Sequence, residues 1–447
     1  MKRHIRTTAA AAVILLCGGA TAAVAQGQPK DNQLPPAAAE ARGGQLLKDH
    51  GKPGVLPPAN ETSCENVRKP ENLKALKAKG VKHVECQQWL DKAPPETIEW
   101  ANNLTKDAEV PPANFAQPTG NGEMQVNGLA PYTDEIVGGL SQACVGKRDL
   151  GLTTLSRTQA CQLYGFWHHV IRTQDGANIG NAYFSLMTWQ DLNPRNRMWH
   201  VGHAIEMLHA DGVALQGINT FFWSNCKAPG LPCEKTGQVP ADEWVLVKPN
   251  QLMGGRTNFK STQAVVDKSH TGSAMWTYST VPGAQNIAKG ETPAFMEVRC
   301  DRIEYLASNS GEGCVYGAFS GTLVLRISDS TMTEAAAWVR EAQQKLPTHP
   351  GLRGWQVLHR SFPHQLDANR AVSRPVCDRL SKKPGQQCDE YPFAATKEGA
   401  AYGPQGQYWD VKAVNGAHNE KVGRELSAMF SNERYFYGDT FYVDVRN

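Results

Sequence analysis

The chain has 447 residues, 40% of them hydrophobic and 20% charged, so it can bury a core and is too long for one average domain. Its formal net charge of +3 excludes a polyanion-binding assignment from overall charge alone; any nucleic-acid contact must come from local clusters of cations.

The first segment, "MKRHIRTTAAAAVILLCGGATAAVAQG", sets Lys2, Arg3 and Arg6 before a short apolar run that closes on Ala23-Val24-Ala25. That is the pattern of a secretory signal peptide over residues 1–25, cut after Ala25. No later run reaches the roughly 20 apolar residues of a membrane-spanning helix, so a secreted, extracellular protein is expected. Cys17 falls within the signal; the other ten of the 11 cysteines lie as neighbours along the chain. In an oxidising compartment they are expected to bridge as Cys64 with Cys86, Cys144 with Cys161, Cys226 with Cys233, Cys300 with Cys314, and Cys377 with Cys388. There is no C-x-x-C pair, which argues against a cysteine zinc site.

Residues 26–125 are rich in Pro, Ala and Asn, as in "LPPAAAEARGG" and "EVPPANFAQPTG". They read as a weakly packed extension, with one helical patch at "ENLKALKAKG" between Cys64 and Cys86. From 126 to 330 short alternating runs such as "NAYFSLMTW", "AMWTYSTV" and "GTLVLRIS" predict an antiparallel, sandwich-like β-rich domain. Nothing in it names a function, and contact with a cell wall through it is one partner left open. Its histidine-rich stretch, "MWHVGHAIEMLHADG", would align His200, His203 and Glu206 for a metal on a helix. The flanking pattern instead predicts a strand, in which His203 and His209 share one face while His200 and Glu206 share the other.

At residue 331 the period changes. In "TMTEAAAWVREAQQKLPTHPG", Thr331 and Glu334 stand at capping-box spacing, and Ala335, Trp338, Val339, Ala342 and Leu346 form one apolar helical face. A separate domain over 331–447 follows. Within it come a strand at "GWQVLHR", a strand at "CDEYPFA", a Gly-rich loop through "KEGAAYGPQGQ", a strand at "YWDVKAV", a helix at "HNEKVGRELSAMF" and a last strand at "FYVDV". The succession strand, loop, strand, helix is that of the ββα-metal nucleases. Hydrolysis of a phosphodiester needs a base for water and a hard cation for the phosphate. Asp389, Glu390, Glu398 and Asn419 are the oxygen-bearing residues this order brings forward. Neighbours in a strand face opposite sides, and the reading assigns Glu390 as base, with Asp389, Glu398 and Asn419 toward Mg²⁺ or Mn²⁺. Arg374, Arg379, Lys382 and Lys383 in "SRPVCDRLSKKPGQQC" read as a basic loop for a DNA backbone.

"CDEYPFAATKEGA", with "EAAAWVREAQQ" before it and the Asn-led helix and "GDTFYVDV" after it, resembles the NucA/NucB-type deoxyribonucleases, the secreted DNA-entry nuclease family. The resemblance covers the last quarter of the chain. It implies a metal-dependent endonuclease of low sequence specificity acting on extracellular DNA. It matches Asp389 and Glu390 to the family's acidic pair, Glu398 to its E-G glutamate, Asn419 to its helix-start asparagine and Arg370 to a basic position upstream. Some members carry Asp and Arg where this chain has Gln387 and Cys388. His359, His364 and His418 lie near in sequence, with the role of protonating the leaving group, and His364 is included among the catalytic residues. The expected class is therefore multidomain α+β, ending in a ββα-metal-type nuclease. Two alternatives stand beside it: an inactive cell-surface or DNA-binding protein with a nuclease-like domain, and a secreted nuclease toxin.

Overall fold

The computed structural model describes residues 63–90, 92–106, 144, 153–154, 156–225, 233–239, 245–262, 269–270, 274–281, 287–292, 297–302 and 311–447. The expected signal segment and Cys226 lie outside them. The chain first forms two helices, α1 (Cys64–Val67) and α2 (Pro70–Ala78), and strand β1 (His83–Trp89). Ser63 caps α1 by accepting from the Asn66 N–H, and Pro70 opens α2, where a missing N–H costs nothing. Cys64 and Cys86 are bridged, fixing α1 to β1. Helix α3 (Pro95–Lys106) buries Trp100 and Ala101 in a cluster with Leu163, Met187, Trp189 and Ala204. The expectation of a weakly packed extension is thus corrected for these residues: average composition concealed a strand and a helix that both dock on the β-rich part.

That part comprises β2 (Thr153–Thr154), β3 (Gln159–Arg172), β4 (Asn178–Leu192), β5 (Met198–Gly212), β6 (Ile218–Asn225), β7 (Cys233–Val239), β8 (Val245–Val247), β9 (Leu252–Ser261), β10 (Ser269–His270), β11 (Ala274–Thr280), β12 (Ala288–Glu291), β13 (Val298–Arg302) and β14 (Glu312–Val315). In place of a sandwich, one seven-stranded antiparallel sheet in the order β1-β3-β4-β5-β9-β7, with β2 on β3, curls into a half-barrel. A four-stranded sheet, β12-β11-β6-β8, contributes Ile218, Phe222 and Val247 to a core shared with Phe166, Phe184, Leu186 and Ile205. His168 pins this packing. Its Nε2 lies 2.9 Å from the Glu85 carboxylate and its Nδ1 2.8 Å from Ser279 Oγ, all with side chains sealed from water.

The C-terminal unit contains β15 (Gly321–Arg326), α4 (Thr333–Lys345), β16 (Leu358–His359), α5 (Pro363–Arg379), β17 (Gln386–Tyr391), β18 (Asp410–Asn415), α6 (Gly416–Asn432) and β19 (Thr440–Arg446). Strand β15, expected with the β-rich domain, pairs in parallel with β19, and Leu323 and Leu325 join the C-terminal core. Periodicity marked it correctly as a strand but carries no information about a partner so distant in sequence. The α4 face is as expected: Ala335, Trp338, Val339, Ala342 and Leu346 are all buried. Its cap is not. Met332 occupies the N-cap position, Thr333 Oγ1 donates to Ile327 O and Asp329 O, and Glu334 accepts from the Asn415 N–H, tying α4 to the start of α6.

The bridges Cys144–Cys161, Cys300–Cys314 and Cys377–Cys388 are present as expected. Cys233 is also disulfide-bonded. Replacing both Cys377 and Cys388 by Ser should lower unfolding free energy by about 3 kcal/mol, the loop-closure value for a short bridge; denaturant titration at constant pH measures it.

Candidate functional site

Strands β17 and β18 form a two-stranded antiparallel hairpin in which Asp389 pairs with Lys412, Glu390 with Val411 and Tyr391 with Asp410. The side chains sort by core. Tyr391 and Val414 belong to the cluster containing α4 and α6 residues, whereas Cys388 and Val411 pack with Val376, Cys377 and Leu380 of the α5 region. Alternation along β17 therefore sets Asp389 on the α4/α6 face and Glu390 on the α5 face. Asp389 is only 6% exposed, and its Oδ2 has no hydrogen-bond partner among the described residues. Burial first, and then the neighbouring Glu390 charge, push its carboxyl up to about 7.

Helix α6 begins beside this face. Asn415 caps it, accepting from the Ala417 and His418 N–H groups. Asn419, in the first turn, donates through Nδ2 to Gln387 Oε1 and to Cys388 O, each at 3.3 Å. These bonds attach the helix to the two residues preceding Asp389. An unsatisfied buried carboxylate oxygen next to an amide-bearing helix start is a donor set that suits a hard divalent cation retaining most of its water. Among the described residues no three His, Cys, Asp or Glu side chains gather in a metal-binding cluster.

Glu398 has a different commitment from the expected one. It is buried, its Oε2 accepts the His359 N–H at 2.8 Å, and its Oε1 accepts from His359 Nδ1 at 2.7 Å. Both oxygens are occupied, so Glu398 fixes a histidine tautomer with the proton on Nδ1. The His359 side chain is 32% exposed. Sequence spacing, which groups near neighbours, did not reveal this pair. Asn369 was missed as well: buried in α5, it donates to Ala394 O and Thr396 O and accepts from the Ala401 N–H, holding the loop that bears Glu398. A Cβ at Gly399 would meet the Asn369 side chain at 2.3 Å, which explains the glycine after Glu398.

The cations fall on a helix. Arg370, Arg374 and Arg379 are exposed along α5, which continues through Pro375, and Lys382 and Lys383 are exposed in the turn beyond it. The expected basic loop is corrected accordingly for Arg374 and Arg379, which α5 carries on either side of Pro375. His364 is exposed at the first turn of α5, stacked on Phe362 at 5.7 Å.

In the β-rich part, "MWHVGHAIEMLHADG" is strand β5, as the pattern predicted. The grouping of its histidines needs one correction. A bulge near Leu208 shifts the register against β4, so His209 approaches the Tyr183 ring, on the face of Glu206, and leaves His203 on the other. His203 is fully buried and burial lowers its pKa to about 3. It is a neutral core residue.

A paired strand hairpin carrying a buried acid is thus followed by a helix that presents an asparagine. Residues 364–444 match the family model for deoxyribonuclease NucA/NucB, and this C-terminal segment is a NucA/NucB deoxyribonuclease domain. Comparison with curated proteins gave no matching relative.

Because burial raises the folded-state pKa of Asp389 above its unfolded value of 3.8, the folded chain holds that proton more tightly. The resulting stability is complete below the unfolded value and is lost as pH rises through about 7. In metal-free buffer, Asp389→Asn should therefore raise the Tm at pH 8 and bring no comparable gain at pH 4. Equal shifts at both pH values would remove ionisation as the cause.

Proposed function

We propose that the protein is an exported, metal-dependent endonuclease that hydrolyses phosphodiester bonds of extracellular DNA with low sequence specificity. The observation that carries this reading is Asp389: a buried carboxyl with one unpartnered oxygen and a pKa pushed to about 7, inside the segment that matches the deoxyribonuclease family. A base titrating near neutrality combines a useful ionised fraction with enough proton affinity to activate water. We therefore give Asp389 the role of base that the sequence had suggested for Glu390, which shares the opposite face with Cys388.

Asn419 is the residue that would hold Mg²⁺ or Mn²⁺, and Asp389 stays beside it as the base; Glu398, with both oxygens engaged by His359, is not a ligand. When bound, the ion supplies positive charge against the scissile phosphate. Asp389 Oδ2 takes a proton as the water oxygen bonds to phosphorus. The P–O bond to the departing sugar breaks, and His359, as an imidazolium steadied by Glu398, gives its Nε2 proton to the leaving oxygen. Arg370, Arg374, Arg379, Lys382 and Lys383 are exposed cations suited to backbone phosphates, which explains binding without base readout. Four described disulfides agree with an oxidising destination, and no helix among the described residues is long and apolar enough to cross a membrane.

Plasmid digestion with a metal panel tests the proposal. Cleavage should require Mg²⁺ or Mn²⁺ and stop with EDTA. Asp389→Asn should lose about 10²- to 10⁴-fold in rate, the usual contribution of a general base, while Glu390→Gln stays within about tenfold of wild type. The reverse order would return the base to Glu390. Binding of DNA without cleavage under every metal would favour the inactive DNA-binding alternative.

A further inference from the structure

The junction between the β-rich part and the nuclease domain is made of buried charge. Arg157, preceding β3, is fully buried and donates to Glu433 O at 2.9 Å, Arg434 O at 3.1 Å and Asp439 Oδ2 at 2.5 Å. Arg299 of β13 reaches both Asp439 carboxylate oxygens at 3.0 Å and donates to Arg434 O at 2.5 Å. The reciprocal contact comes from Arg434, 1% exposed and with a positive φ of 52°. Its guanidinium binds the Asp301 carboxylate and donates to Pro194 O at 3.1 Å and Gly311 O at 3.0 Å. Arg157 also lies over the Tyr435 ring and Arg299 over the Phe436 ring, at 4.1 and 3.4 Å. Desolvation raises the Asp301 carboxyl and lowers the Arg299 guanidinium; such charges stay in place only if their partners do. A tethered accessory domain would need none of this.

The gripped segment leads directly to His359. Asp439 holds the two arginines with its side chain while its carbonyl accepts the Arg360 N–H at 2.9 Å, and Gly438 N–H donates to Arg360 O at 2.8 Å. The next residue, Thr440, pairs with His359. His359 in turn gives its own N–H and its Nδ1–H to Glu398. A path of hydrogen bonds joined by short stretches of main chain therefore runs from two β-domain arginines to the histidine–glutamate pair.

We infer that Arg157 and Arg299 are positioning residues of the nuclease: the β-rich domain fixes the 434–440 segment and so aims His359. The inference rests on the role given to His359 above. It assigns the β-rich part a task within the reaction, although all of it lies outside the family match.

The test uses the full-length, oxidised protein. Arg157→Ala should lower kcat on plasmid DNA by about tenfold or more with KM within about twofold, as expected when a reacting group is displaced by a fraction of an ångström. It should also move the His359 ring resonances and their titration in NMR, and Arg157→Lys should recover part of kcat. Asp439→Asn, nearly isosteric, should reproduce both effects and serves if Arg157→Ala fails to fold. A folded Asp439→Asn protein with wild-type kcat and an unchanged His359 titration would overturn the inference. If wild-type protein cuts no DNA, the nuclease reading fails separately: an unchanged His359 titration in Asp439→Asn still overturns the positioning, and a shifted one supports it.

Discussion

Asp439 is one carboxylate held by two arginines from another part of the chain, and much of the architecture follows from that arrangement. Buried guanidinium groups are tolerated only when their donors are satisfied. Arg157 meets this demand with main-chain carbonyls and one acid, and Arg434 does the same in the opposite direction. Each half thus inserts an arginine into acceptors supplied by the other. Apolar contact would allow sliding, whereas directional bonds to buried charges fix distance and angle together.

The nuclease hairpin uses the opposite tactic. Asp389 lies in a region that packs against two helices, yet among the described residues one oxygen is left without a donor and no cation lies closely enough to hold its pKa down. Lys412, its partner across the hairpin, extends instead over the Trp338 ring to Glu341. Local stability is lower than a neutral residue would give, and proton affinity is higher. That trade is common where a side chain must react rather than brace the fold.

Much of this was legible in the sequence. The cysteine pairing, the strand, loop, strand and helix order, the apolar face of α4 and the strand character of β5 all depend on near neighbours or on a repeating period. The signals that misled are also physical. Thr331 and Glu334 have capping-box spacing but engage other partners, and one bulged residue reverses the face on which His209 sits. Parallel pairing of β15 with β19, the union of His359 with Glu398 and the arginines on Asp439 are contacts between distant positions, about which a one-dimensional pattern says nothing. Even the acidic pair was read only halfway: alternation separated Asp389 from Glu390, but deciding which one was buried required knowing which helix lay on each side.

The bridges have a consequence for how the chain can oxidise. They join cysteines 22, 17, 14 and 11 residues apart, and none of these four loops overlaps another. The ends of each loop are therefore already close along the chain, and little entropy is lost on closing it. The most C-terminal of the four, Cys377–Cys388, is also the shortest, and it joins the arginine-bearing helix to the strand of Asp389. The covalent link between those two elements is thus the one that chain diffusion closes at the smallest entropic loss.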